Sequence, residues 1–191
     1  MSKARDAHEV QLHLAESVAQ GTLVRVLRSL RRADKLDGFV VGVGNAWVLL
    51  ARLDPNFLEL DGYVAVRLGD ITKVEARGGP DTFVGRVLAA KGQWPPRPVE
   101  VNLDDPAELV RSSAAVSPLI TLFIEAEDPD VCFVGKPVRY TKRKVHLLEV
   151  TPEAEWREDG PSKWRLDEVT RLDFSDHYAG ALSLMAPSPT E

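Results

Sequence analysis

The sequence holds a single cysteine, Cys132, so it has no partner for an intramolecular disulfide and cannot form a cysteine-rich zinc site. Its first ten residues lack the apolar segment of a secretion signal. The most apolar stretch, residues 39–51, is too short for a membrane span and is interrupted by glycine. These absences predict a soluble protein of a reducing compartment, the cytoplasm, with no membrane attachment.

Positive charge is also scarce, because 24 lysines and arginines stand against 29 aspartates and glutamates, a net charge of -5. Proteins that bind nucleic acid normally need a basic excess or a strong basic patch. Hydrophobic residues at 44% and charged residues at 28% are ordinary values for a folded domain. Composition therefore predicts a packed core and leaves only local basic patches as candidate nucleic-acid sites.

An internal repeat is the strongest pattern present. Residues 61–75 match residues 159–173, and both segments end in the order acid, β-branched apolar, threonine, base, apolar, acid. Upstream, Gly38 falls on Gly135 and Val48 falls on Val145. Because the matches keep one order through strands and turns, the sequence predicts two diverged copies of a single unit.

Each copy is predicted to contain five short strands flanked by helices. The strands of the first copy are expected at residues 22–29, 39–44, 47–53, 62–68 and 71–76, and the second copy runs over residues 119–174. Asp105 followed by Pro106 is typical of a helix start, and Asp81 and Asp176 are expected to cap a helix after each copy. The predicted fold is mainly β with flanking helices, as two tandem five-stranded barrels.

A helix followed by five short, bent strands resembles the Sm-like barrel, a small SH3-type fold of RNA-binding and assembly proteins. The resemblance covers the fold, because the Arg-Gly pair of its second motif is replaced by Arg67-Leu68-Gly69 and Arg165-Leu166-Asp167. The whole chain is also similar to a group of uncharacterised bacterial proteins. The segments on which this similarity depends are Asp61-Gly62-Tyr63, Trp94-Pro95-Pro96, residues 128–132 and residues 169–174. It implies tandem small barrels and no assigned activity.

The chain divides at a proline-rich segment. Residues 1–91 are predicted to form an N-terminal helix, the first barrel and a trailing helix, and residues 104–186 repeat that arrangement. Residues 92–103 are the linker, which proline makes stiff, and residues 187–191 are a flexible tail. Trp94 is expected to pin the linker to a barrel, although it could instead present a proline-rich ligand.

A basic cluster lies on the hairpin of the second copy that matches residues 44–46 of the first. It consists of Lys142, Arg143 and Lys144, with Lys136 and Arg139 nearby. It reads either as a phosphate-binding finger or as a solvated hairpin tip, and the absence of interleaved aromatic residues favours the tip. Residues Arg25–Lys35 form a second basic patch.

Residues able to do chemistry form no recognised site. Cys132 is predicted to be a buried small hydrophobe, and the four histidines lack metal-ligand spacing. We therefore predict no catalytic residue, no metal and no cofactor. The leading hypothesis is a non-enzymatic module that acts by protein association, as a homo-oligomer or with a partner. The alternative is nucleic-acid binding through Arg25–Lys35 and Lys136–Lys144, and a small-molecule enzyme ranks third.

Overall fold

The computed structural model describes residues 2–188, and side chains from residue 8 onward. Within that part the chain is mainly β, with ten antiparallel strands in one open sheet and four helices. The helices are α1 (Ser2–Gln20), α2 (Phe83–Ala90), α3 (Pro106–Val116) and α4 (His177–Met185). The strands are β1 (Leu23–Arg28), β2 (Leu36–Val43), β3 (Trp47–Asp54), β4 (Glu59–Arg67), β5 (Ile71–Gly78), β6 (Ile120–Phe123), β7 (Cys132–Tyr140), β8 (Lys144–Glu149), β9 (Ser162–Arg165) and β10 (Arg171–Phe174).

The strand order is β5-β1-β2-β3-β4-β10-β6-β7-β8-β9. Each half of the sheet therefore places its fifth strand beside its first, and the halves meet where β4 pairs with β10. The predicted mainly-β class with flanking helices is confirmed. The predicted pair of separate barrels is not, because the ten strands form one unclosed sheet.

The two halves use corresponding strand registers. One β-bulge interrupts the ladder between the second and third strands of each half, between Val40 and Gly42 in the first and between Pro137 and Arg139 in the second. The third and fourth strands pair in the same way, since Val48 lies opposite Val66 and Val145 lies opposite Trp164. Residues of the second half can therefore be equated with residues of the first by strand register.

One hydrophobic cluster crosses the junction between the halves. Trp47, Leu49 and Ala65 of the first half pack with Leu172 and Phe174 of the second. The predicted linker also contributes to this core through three partly buried residues, Val99, Val101 and Leu103. Its Trp94 packs on Phe39 with ring centroids 4.9 Å apart, as expected for a residue that pins the segment. The halves thus share a sheet and a core.

The helix starts follow from capping side chains. Asp105 accepts hydrogen bonds from two backbone N–H groups of α3, and Asp176 accepts one from Ala179 in α4, so both predicted caps are confirmed. The cap of α2 is Thr82 and not Asp81, because Thr82 immediately precedes the first helical residue. No helix in residues 2–188 is both long and apolar enough to cross a membrane. The predicted tail at residues 187–191 extends past the described part from residue 189 onward.

Candidate functional site

The β7–β8 hairpin carries the four predicted site residues, and all four are exposed. Arg139 lies near the end of β7, Lys142 and Arg143 form the turn, and Lys144 begins β8. Thr141 shapes the turn: its N–H donates to the Lys144 carbonyl at 2.8 Å, and its hydroxyl oxygen accepts from the N–H of Lys144 at 2.9 Å. The turn therefore presents three adjacent basic side chains.

Strand pairing adds basic residues that sequence reasoning missed. Lys163 of β9 lies opposite His146, and Arg165 lies opposite Lys144. Arg139 pairs with His146 from the other side. Directly opposed residues of antiparallel strands project from the same face of a sheet. We define the basic face as the six residues Arg139, Lys142, Arg143, Lys144, Lys163 and Arg165.

Few carboxylates oppose this face. Arg165 pairs with Asp167 at 2.5 Å and with Glu168 at 3.3 Å, and the hydrogen bond from Arg165 lowers the pKa of Asp167 below its ordinary value. The other five members have no carboxylate oxygen within 4.0 Å in the described part of the chain. Glu149, the acidic residue of β8, is buried and accepts from Trp164. The basic face therefore keeps most of its positive charge.

The corresponding face of the first half is covered. Strand register equates Lys144 with Trp47, which is buried. Leu103 of the linker lies across the β2–β3 turn, where its carbonyl accepts from the N–H of Ala46 at 3.3 Å and of Trp47 at 3.0 Å. Gly42 permits this approach, because a Cβ there would lie 2.8 Å from the Leu103 side chain. The same face is thus closed in one half and open in the other.

Three of the five cations in the second predicted patch, Arg25–Lys35, form ion pairs. These pairs are Arg25 with Asp37 at 2.6 Å, Arg32 with Asp130 at 3.0 Å, and Arg28 with Glu125. Each oxygen of Glu125 accepts from the Arg28 guanidinium, and both side chains are buried. Two of these three pairs, those of Arg28 and Arg32, cross between the halves, so the patch contributes to the contact between them.

A further charged cluster lies at the junction of the halves. Arg171 binds Asp173 through Nε at 2.7 Å and approaches Asp34 at 3.1 Å, and Arg52 pairs with Asp61. A cavity of 280 Å³ lies beside Arg52 and Arg171. The described residues that line it include no serine, threonine, cysteine or histidine. Both guanidinium groups are already bound by carboxylates, so the cluster cross-links the halves.

A larger groove of 490 Å³ opens between α3, β7 and the end of α4. Leu119, Tyr140 and Trp156 supply apolar and aromatic lining. Arg111 and Lys136 add positive charge, and the Arg111 guanidinium lies 5.2 Å from the centre of the Tyr140 ring. Sequence reasoning did not identify this groove, because its walls come from segments far apart in the chain.

The remaining candidates hold no assembled chemistry. Cys132 is exposed, so its prediction as a buried hydrophobe is wrong. It stands at the first position of β7, whereas Val134, two residues further along the same strand face, packs beneath α4. His177 Nδ1 lies 3.4 Å from Asp61 at the start of α4. Across residues 2–188, no three histidine, cysteine, aspartate or glutamate side chains are placed to hold a metal ion.

Comparison with known proteins gives no family for this fold: the sequence matches no protein-family model and no curated protein, and no solved structure matches the chain.

Proposed function

We propose that this protein is a non-enzymatic binding module of the cytoplasm, and that its basic face binds the phosphate backbone of nucleic acid. It is built, on this proposal, from two diverged copies of an Sm-like small barrel. The equal strand order and the matching bulges of the two halves support the duplication. On this proposal the sheet face makes the contact, because the Arg-Gly pair of the Sm-type motif is replaced in both copies.

The observation that carries the proposal is an open face with six cations, four on three adjacent strands and two in the turn between β7 and β8. Neighbouring strands are about 4.8 Å apart, so cations on β7, β8 and β9 can contact successive phosphates. The aromatic residues nearest to this face, Tyr140 and Trp164, are partly buried, and Trp164 packs on Phe133 with ring centroids 3.8 Å apart. With those rings engaged in packing, base stacking contributes little, and the contact is with the backbone.

The test is salt-dependent binding to a fluorescein-labelled duplex of about 20 base pairs, measured by anisotropy from about 50 mM to about 200 mM salt. Replacing Lys142, Arg143 and Lys144 together by alanine should weaken binding and reduce the slope of log K against log salt by about 3. The matched control replaces Arg31, Arg32 and Lys35 of the first patch and should leave that slope unchanged. Absence of binding by the unaltered protein at about 50 mM salt, or equal losses in both triple variants, would reject the proposal.

Self-association is a second candidate function, and the β4–β10 pairing favours it. That pairing joins the fourth strand of one half to the fifth strand of the other. It leaves the corresponding strands β9 and β5 as the two ends of the sheet. A second copy can add its β9 to β5 in the same arrangement, which would extend the sheet head to tail.

This association should be weak, because β9 carries features that protect natural sheet edges. Pro161 precedes the strand and has no N–H to donate, and Lys163 and Arg165 are exposed charges. The strand is only four residues long. The few backbone hydrogen bonds it can form, each worth about 1 kcal/mol, fall short of the cost of association. Light scattering at roughly 10 µM should therefore show a monomer, and a dimer at that concentration would make assembly the leading function.

A further inference from the structure

The groove between α3, β7 and α4 corresponds to a space that is filled in the first half. There Trp94 packs on Phe39, and both rings join Leu23 and Leu88 in one cluster. The Trp94 ring lies against Gly21 so closely that a Cβ on this residue would be 2.8 Å from the indole. An aromatic side chain from an extended segment thus closes this site in the first half.

The second half lacks both rings. Strand register places Lys136 where the first half has Phe39. Counted from the N-caps of α2 and α4, Ser188 is the residue in the second half that corresponds in sequence to Trp94. Lys136 and Ser188 both line the 490 Å³ groove, so the groove occupies the position of the missing aromatic pair.

The apolar base of the site is retained. Leu119 corresponds to Leu23 by strand register, and Leu182 corresponds to Leu88 by its place after the helix cap. Both leucines are buried in one cluster, which the partly buried Trp156 joins. Strand pairing equates Trp156 with Leu60 and not with Trp94, because Trp156 lies opposite Val150 as Leu60 lies opposite Leu53. The second half therefore keeps the apolar base of the site without a residue equivalent to Trp94 by strand pairing.

The charge of the groove differs from that of the filled site. Lys136 is exposed and has no carboxylate oxygen within 4.0 Å among the described residues, and Arg111 has only the exposed Glu108 as ion-pair partner. An occupant that brings a carboxylate next to its ring would pair with Lys136. An occupant with a cation there would be repelled.

We propose that this groove binds an extended segment of a partner protein in which a tryptophan follows an acidic residue. The indole takes the place that Trp94 takes in the first half, and the carboxylate pairs with Lys136. Apolar contact with Leu119 and Leu182 at the base of the groove provides affinity, and the ion pair selects acidic over basic sequences. This site is distinct from the proposed nucleic-acid surface, because none of the six residues of the basic face lines the groove.

The probe is an acetylated, amidated peptide with the sequence Glu-Trp-Pro-Pro, which copies residues 93–96 of this chain with glutamate in place of the first residue. Titration into ¹⁵N-labelled protein should shift the amides of Ala114, Ser183 and Ala186, which line the groove. Exchanging the peptide tryptophan for alanine should weaken binding at least about tenfold. Exchanging its glutamate for lysine should weaken binding by about three- to tenfold.

Variants of the groove provide the decisive comparison. Ser188→Trp supplies the missing ring from the chain itself, and it should weaken peptide binding at least about tenfold. Lys136→Glu should reverse the charge preference, so that the lysine peptide binds better than the glutamate peptide. Lys142→Ala on the basic face is the control and should change nothing. Unshifted groove amides, or a Lys136→Glu variant that keeps the preference for glutamate, would overturn the proposal whatever the nucleic-acid measurements show.

Discussion

Removal of either member of the Arg28–Glu125 pair should strongly destabilise the fold. The pair joins β1 of the first half to the segment after β6 in the second, and the side chains are only 0% and 4% exposed. Glu125 also accepts from the Thr170 hydroxyl at 2.8 Å. In Arg28→Met the carboxylate keeps that hydroxyl and loses its counter-charge, and in Glu125→Met the guanidinium is buried without one.

The expected loss is about 3–5 kcal/mol for each single variant, because a buried charge without a partner cannot recover its hydration. That is a large part of the roughly 5–15 kcal/mol that stabilises a typical domain. With a urea dependence of about 2 kcal/mol per molar, the unfolding midpoint should fall by roughly 1.5–2.5 M. The double variant Arg28→Met/Glu125→Met removes both charges, so it should lose far less than the sum of the two single losses.

Urea unfolding followed by circular dichroism measures these losses, and the chain offers a matched control. Arg32 and Asp130 pair across the same two segments at 3.0 Å, but each side chain is 61% exposed. Arg32→Met should therefore cost less than about 1 kcal/mol. If the Arg28 and Glu125 variants lose no more than Arg32→Met, or if their losses simply add in the double variant, the buried pair does not hold the halves together.

Two further predictions concern stability. Gly85→Ala should destabilise the protein by about 2 kcal/mol, because the new Cβ would lie 2.3 Å from the Pro80 carbonyl oxygen. Gly180→Ala in α4 should stabilise it by about 0.5–1 kcal/mol, because the new Cβ meets nothing within 4 Å. Thermal unfolding of both variants measures these opposite changes in stability. Burial raises the pKa of Asp61, but hydrogen bonds from the His177 N–H and from Arg52 outweigh it, and the pKa is lower than usual. A lowered pKa adds stability above about pH 4 that is lost as the pH falls through the folded-state value, so urea unfolding from about pH 5 to about pH 2.5 should show a smaller acid loss in Asp61→Asn than in the unaltered protein.

Local sequence patterns placed the five strands of the first half to within about three residues, whereas the strands of the second half were not bounded individually. Alternating β-branched residues and hairpin turns set β3 at Trp47–Asp54, where residues 47–53 were predicted. The hairpin turn was harder to align, because the matches upstream and downstream of it (38 with 135, 61 with 159) differ in offset by one residue. The sequence match aligned Lys142 with Gly44, whereas the strand register aligns Thr141 with Gly44. The hydrogen bonds agree with the register, because the N–H groups of Gly44 and Thr141 each donate to the carbonyl three residues further on.

Local sequence patterns could not predict the contacts between segments that lie far apart in the chain. The run Arg25–Lys35 looks like a basic patch in one dimension, and the carboxylates that neutralise it at Glu125 and Asp130 are about a hundred residues away. The basic face was found only in part for the same reason. Arg139 and the hairpin were evident, but Lys163 and Arg165 join them only through the pairing of β8 with β9. The internal sequence match aligned Val66 with Trp164 and Val48 with Val145, and the structure pairs Val48 with Val66 and Val145 with Trp164.

The two halves differ most where the linker lies. Trp94 fills the aromatic site of the first half, and Leu103 covers its sheet face, so one short segment closes two surfaces of one half. In the second half the corresponding positions are the groove at Lys136 and the face at Lys144, and both are lined by charged residues. Loss of a covering segment exposes apolar surface, which favours association or replacement by charge. By strand register, lysine stands in the second half at the positions of Phe39 and Trp47, so charged residues replace the covered apolar ones there. The binding surfaces that we propose therefore both lie on the second half, where the linker covers neither position.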